Sequence, residues 1–89
     1  QLVIKLAMEN RNAKGNDIAS GATTKIITFS NAFFATPSLG IAAQNMATGD
    51  YYTITSKSAT NFSITFYNSS GVAQDRTFDY VAEGYGLSP

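Results

Sequence analysis

Cysteine and histidine are both absent from the 89 residues of this chain. Without cysteine no disulfide can brace the fold, and thiol chemistry is excluded. Without histidine there is no imidazole for a catalytic triad or for the usual zinc sites. Any metal would have to be held by carboxylate and carbonyl oxygens alone, so no cofactor is expected. Charge is also scarce. Six basic and six acidic side chains cancel to a net charge of zero. No basic stripe marks a nucleic-acid partner, and no cationic cluster marks an anionic membrane surface. No apolar run approaches the roughly 20 residues that cross a bilayer, so membrane insertion is not expected.

The length fits one domain. A domain this small buries only about 60% of its unfolded surface, which leaves it marginal when alone. With disulfides and metals set aside, oligomerisation is the remaining common support, and a homo-oligomer is expected. Ser, Thr and Asn give the surface many neutral hydrogen-bonding groups, a character that suits extracellular and virion proteins. The chain opens at Gln1 inside an apolar segment with no initiator Met. That leads us to expect a domain of a longer protein.

The apolar residues step mostly by two, the period of a strand with one buried face. Leu2, Ile4, Leu6 and Met8 predict a first strand over residues 1–8. Residues 9–22 are polar, with no sustained period, and predict a long loop. Such loops are often functional. Thr23 to Phe29 is rich in β-branched residues and predicts a second strand. Pro37 opens a third that runs to Ala43, where its missing N–H is tolerable. Tyr51 to Lys57 predicts a fourth. Phe62 to Tyr67 predicts a fifth, with Phe62, Ile64 and Phe66 on one face and Ser63, Thr65 and Tyr67 on the other. Arg76 to Tyr85 predicts a sixth, ahead of a tail over residues 87–89. The Asn68-Ser69-Ser70-Gly71 cluster reads as a turn. Six short strands separated by turn signals predict an all-β, six-stranded antiparallel β-sandwich.

Particular residues carry a resemblance from Thr23 to Gly86, roughly two thirds of the chain. Lys25-Ile-Ile-Thr-Phe29 comes first, then Phe33 and Thr36-Pro-Ser-Leu-Gly-Ile41. Asn61-Phe-Ser-Ile-Thr-Phe66 follows, and then Phe78-Asp-Tyr-Val-Ala-Glu-Gly84. Together they resemble the H-type lectin domain. Tyr80 stands where that family usually carries Trp. The resemblance implies a six-stranded sandwich assembled as a trimer, which binds sugars near subunit boundaries. Similar domains sit at the tips of tailed-phage fibres and host-specificity proteins. The cysteine-free, Ser/Thr/Asn-rich chain looks more like a phage tail module than a disulfide-bearing animal lectin.

The resemblance transfers the sugar site only in part. Gly15-Asn16-Asp17 matches a Gly-x-Asp motif before the second strand, and a carboxylate there can accept bonds from adjacent sugar hydroxyls. The family's Arg at the start of the fourth strand is replaced by Gly49-Asp50-Tyr51. Its aromatic residue and His between the last two strands are replaced by Ser69 and Ser70. Tyr51, Tyr52 or Tyr67 is a candidate replacement ring, and Arg76 a candidate replacement cation.

The candidate carbohydrate-binding residues are therefore Gly15, Asp17, Asp50, Tyr51, Asn68, Ser69, Asp75 and Arg76. Asp50, Asp75 and Arg76, with Asn45 and Asn68, lie in two turn regions expected to meet at one end of the sandwich. The plainer reading is that solvated turns are polar in any protein. Tyr67, Val81 and Tyr85 fall opposite the core residues and are candidates for the oligomer interface. A paired-carboxylate glycosidase is formally open through Asp50, Asp75 or Asp79, but so small a sandwich rarely encloses a substrate cleft, and no enzyme activity is expected. The leading expectation is a receptor-recognition module of a phage tail, located on the virion and binding a host cell-surface glycan or other receptor. The alternatives are a structural trimerisation or capping domain without ligand, and a secreted lectin.

Overall fold

Six strands form along the described chain, with no helix among the described residues. The computed structural model describes residues 7–88. The strands are β1 (Ala7–Ala19), β2 (Lys25–Thr28), β3 (Ser38–Ala43), β4 (Tyr51–Lys57), β5 (Asn61–Tyr67) and β6 (Thr77–Ser88). They make two three-stranded sheets, ordered β1-β6-β3 and β2-β5-β4. Every pairing is antiparallel. Each sheet is named below after its central strand.

The two central strands carry the core. Phe62, Ile64 and Phe66 of β5 and Phe78 and Ala82 of β6 are fully buried. Their spacing of two turns one face of each sheet inward. The faces meet through aromatic contacts: the Phe66 and Phe78 rings lie 5.5 Å apart, and the Phe62 and Tyr80 rings 5.2 Å apart. Burying each such side chain stabilises the fold by roughly 1.5–3 kcal/mol. Loss of hydration pushes the Tyr80 hydroxyl pKa above its ordinary value.

The segment after β2 closes one side of this core. Phe29 and Phe33 are buried there with their rings edge to face at 5.1 Å. Backbone bonds fix the segment, since Phe29 N–H donates to Thr60 and Phe33 N–H to Ala59. The arrangement is all-β and β-sandwich-like.

Several sequence expectations change, the smallest being that Pro37 and Arg76 lie just outside β3 and β6. Residues 9–22 are not a long loop, because β1 runs through to Ala19 and pairs with β6 from Ala7↔Ser88 to Ala19↔Thr77. The reason lies in the inward-facing residues of this stretch. A Cβ at Gly15 would collide with the Tyr80 ring and the Ile18 side chain, so only glycine lets the strand lie against Tyr80. Ala13 packs beside it. With Ala13 and Gly15 this small and charged Arg11 before them, Ile18 is left as the large apolar residue on this face, too little to show the alternation that marks a strand. The tail also begins later than expected, since Leu87 and Ser88 belong to β6. The second strand is shorter, with Thr23 and Phe29 outside β2. Most of the expected first strand, residues 1–8, lies outside the described residues.

Candidate functional site

The Gly15-Asn16-Asp17 motif forms a β-bulge within β1. Gly15 pairs with Tyr80 and Ile18 with Phe78, so Asn16 and Asp17 together face Asp79 alone. Asp17 takes a left-handed backbone conformation, with φ of 53°, which Asp tolerates better than most residues. Its N–H donates to Asp79 Oδ1 at 2.8 Å. The Gln44 amide donates to Asp79 Oδ1 at 2.7 Å and to Asp17 Oδ1 at 2.8 Å. Gln44 therefore ties both carboxylates together from the end of β3. Gly15 takes no part in this group; it serves the packing of Tyr80.

The turn regions meet at one end of the two sheets. Arg76 Nε donates to Asp50 Oδ2 at 2.8 Å, and the Asp50 side chain is only 3% exposed. The Ala47 N–H donates to the same oxygen at 2.7 Å. The Ala47 N–H first, and the Arg76 guanidinium second, hold the Asp50 carboxyl below its ordinary pKa. Ser20 anchors Arg76 from the end of β1, because its hydroxyl accepts the Arg76 N–H at 2.9 Å. Asp75 Oδ1 accepts the Gly21 N–H at 2.9 Å. Asn68 Oδ1 accepts the N–H groups of Ser70 and Val72, which shapes its turn. Asn45 Oδ1 accepts the Thr77 N–H. Gly49, with φ of 84°, lets its turn lie so close to Ser69 that a Cβ there would clash.

Asp50, Tyr51, Asn68, Ser69, Asp75 and Arg76 therefore share one end. Asp17 stands beside them, joined through Gln44 and Thr77. Most of the polar groups here bond to one another. Ser69 and Asp75 are exposed. Tyr51 is 45% exposed and stacks on Tyr67 at 5.1 Å.

Tyr67 lies on the outer face of the β5 sheet, in register with Tyr51. Val81 and Tyr85 lie on the outer face of the β6 sheet, as the alternation with buried Ala82 places them. The three interface candidates thus divide between opposite sides of the fold. The β5-sheet face is uncharged. Thr24 and Thr65 hydroxyls bond at 2.8 Å across it, and Ser56 and Ser63 at 3.3 Å. Ile26 stands out from it 61% exposed.

Ser20 and Gln44, which the sequence did not mark, hold this end together with Asp79, which the sequence offered only as a candidate glycosidase carboxylate. Nothing in their spacing marks them, because their partners lie 27 to 62 positions away. Among the described residues, no group of three or more His, Cys, Asp or Glu side chains gathers as a metal site. Likewise, no helix there is long and apolar enough to cross a membrane. Comparison with known proteins finds no matching family model, no matching curated protein and no matching solved structure.

Proposed function

We propose that this chain is a non-enzymatic recognition module at the distal end of a phage tail fibre or tail-tip protein, where it binds a host-surface glycan. The H-type lectin-like sequence pattern between Thr23 and Gly86 supports the lectin-like part of this reading. The observation that carries it is a polar surface held on a rigid two-sheet frame, gathered at the loop end by Asp50, Ser20 and the turn around Gly49 and set in cross-strand rows on the outer face of the β6 sheet. Groups held on a rigid frame lose little freedom on binding, which favours recognition of a small hydroxylated ligand. Tyr51 adds an exposed ring with both an apolar face and a hydroxyl. Three copies on one axis raise weak single-site binding by effective concentration.

A glycan array and a cell-adsorption assay with the assembled protein test the proposal. Binding to at least one glycan and to a susceptible cell supports it. Binding to neither overturns it. A second reading, a trimerising or capping domain without ligand, is favoured by the β5-sheet face. Its lack of charge and its exposed Ile26 suit burial against a copy of the same chain. Under that reading the assembled mass is normal and the array is blank.

A further inference from the structure

The outer face of the β6 sheet offers the polar groups that the loop end does not. Residues there follow the register of the three strands. Asn12, Glu83 and Ser38 form one cross-strand row, and Lys14, Val81 and Gly40 form the next. Asn10 and Tyr85 pair in the row beyond. An open cleft of about 420 Å³ is lined by Asn10, Asn12, Ser38, Glu83, Gly84 and Tyr85. A second of about 380 Å³ adjoins it along β3 and β6, over Gly40, Ala42, Asp79 and Val81. Both are open to solvent, so a ligand would lie along the face rather than be enclosed. The furrow exists because β3 shows only Ser38, Gly40 and Ala42 on this side.

The chemistry of the furrow selects its ligand. Among the described residues, the side chains of Asn10, Asn12, Lys14, Ser38 and Glu83 hydrogen-bond to no other group. Glu83 only accepts, Lys14 only donates, and the two amides and the serine do both. Sugar hydroxyls both donate and accept, so a mixed row fits them. Tyr85 is 56% exposed beside that row and presents an aromatic ring. Two carboxylates, Glu83 and Asp79, against the single cation Lys14 leave this face net negative, which disfavours phosphates, sulfates and carboxylates. We infer that this furrow is a binding site for a neutral saccharide, with Glu83 and Asn12 bonding vicinal hydroxyls and Tyr85 stacking on the apolar face of the ring. The inference rests on the glycan-binding reading above, and assigns the contact to residues outside the loop end.

The test is binding of the assembled protein to arrayed neutral glycans and to their sulfated or sialylated counterparts. The variants are Glu83→Gln, Asn12→Ala and Tyr85→Ala, with Lys57→Ala, at the far end of β4, as a control. A charged hydrogen bond contributes enough that Glu83→Gln should weaken binding about tenfold or more. Tyr85→Ala should do likewise, while thermal stability and assembled mass hold and Lys57→Ala binds as the native chain does. Neutral glycans should bind better than acidic ones. If Glu83→Gln and Tyr85→Ala bind normally while Ser69→Ala or Asp75→Asn does not, the furrow assignment is overturned and the glycan-binding reading stands. If the native protein binds no glycan at all, both fall together.

Discussion

The loop end and the outer face of the β6 sheet are both polar, yet they use their polar groups in opposite ways. At the loop end Asp50 holds Arg76 and the Ala47 N–H, Asn68 holds its own turn, and Gln44 holds Asp17 to Asp79. On the β6-sheet face Asn12, Lys14, Ser38 and Glu83 hold nothing within the described chain. A polar side chain that is already bonded stiffens its surroundings and has little left to offer a ligand. One left unbonded on a rigid strand keeps its full capacity. A ligand at the loop end must displace protein partners, whereas one on the β6-sheet face displaces only water.

Four substitutions break or sharpen this contrast. The largest effect is expected from Phe62→Ala. Phe62 is fully buried and meets Tyr80 across the sheets, so truncation should cost about 3–5 kcal/mol. In a domain this small both surfaces should be lost together in a single denaturant transition. Retention of near-native stability would mean that the sheets do not depend on a shared core.

Gly15→Ala should act on the β6 sheet first. Its new methyl group meets the Tyr80 ring and Ile18, and overpacking of this kind costs about 1–3 kcal/mol. Amide exchange should speed up along β1 before it does along β4 and β5. Equal acceleration in both sheets would contradict the local reading of Gly15.

Asp50→Asn isolates the loop end through pH. The native Asp50 pKa is depressed, so its stabilisation is complete above the ordinary value of 3.8 and is lost as pH falls through the lower folded value. Urea melts should show native stability declining below that pH. In Asp50→Asn this part of the acid decline should vanish. An unchanged acid profile would show that the Asp50 carboxylate's bonds to the Ala47 N–H and to Arg76 contribute nothing.

Ile26→Glu should have the smallest effect on folding, within about 0.5 kcal/mol, because the residue is largely exposed. It places a charge on the uncharged β5-sheet face. Light scattering should show a smaller assembly, while the β6-sheet face stays intact. An unchanged mass would remove the β5-sheet face as the self-association surface.

The sequence was most legible where buried residues are large. Phe62, Ile64 and Phe66 announce β5 without ambiguity, and β3 and β4 have the expected bounds apart from Pro37, which precedes β3. β1 was hidden because charged Arg11 and small Ala13 and Gly15 precede Ile18 on its inward face, with Gly15 kept small by Tyr80. A signal did exist in the other half of the pattern. Asn10, Asn12, Lys14 and Asn16 recur every second residue, the period of a strand seen from its solvent face. The furrow is hidden with β1, since a stretch without visible apolar alternation offers no cross-strand rows. At the loop end the candidate residues were visible as turn formers. Their bonds were not, because Asp50 and Arg76 lie 26 positions apart and only the fold brings them together.

Chemical-shift mapping by nuclear magnetic resonance tests the central contrast most directly. The labelled protein is titrated with the neutral glycan that binds best on the array. The account predicts shifts concentrated at Asn10, Asn12, Ser38, Glu83 and Tyr85, with small changes around Asp50, Asn68 and Arg76. Shifts centred on the loop end, with the β6-sheet face unmoved, would contradict it.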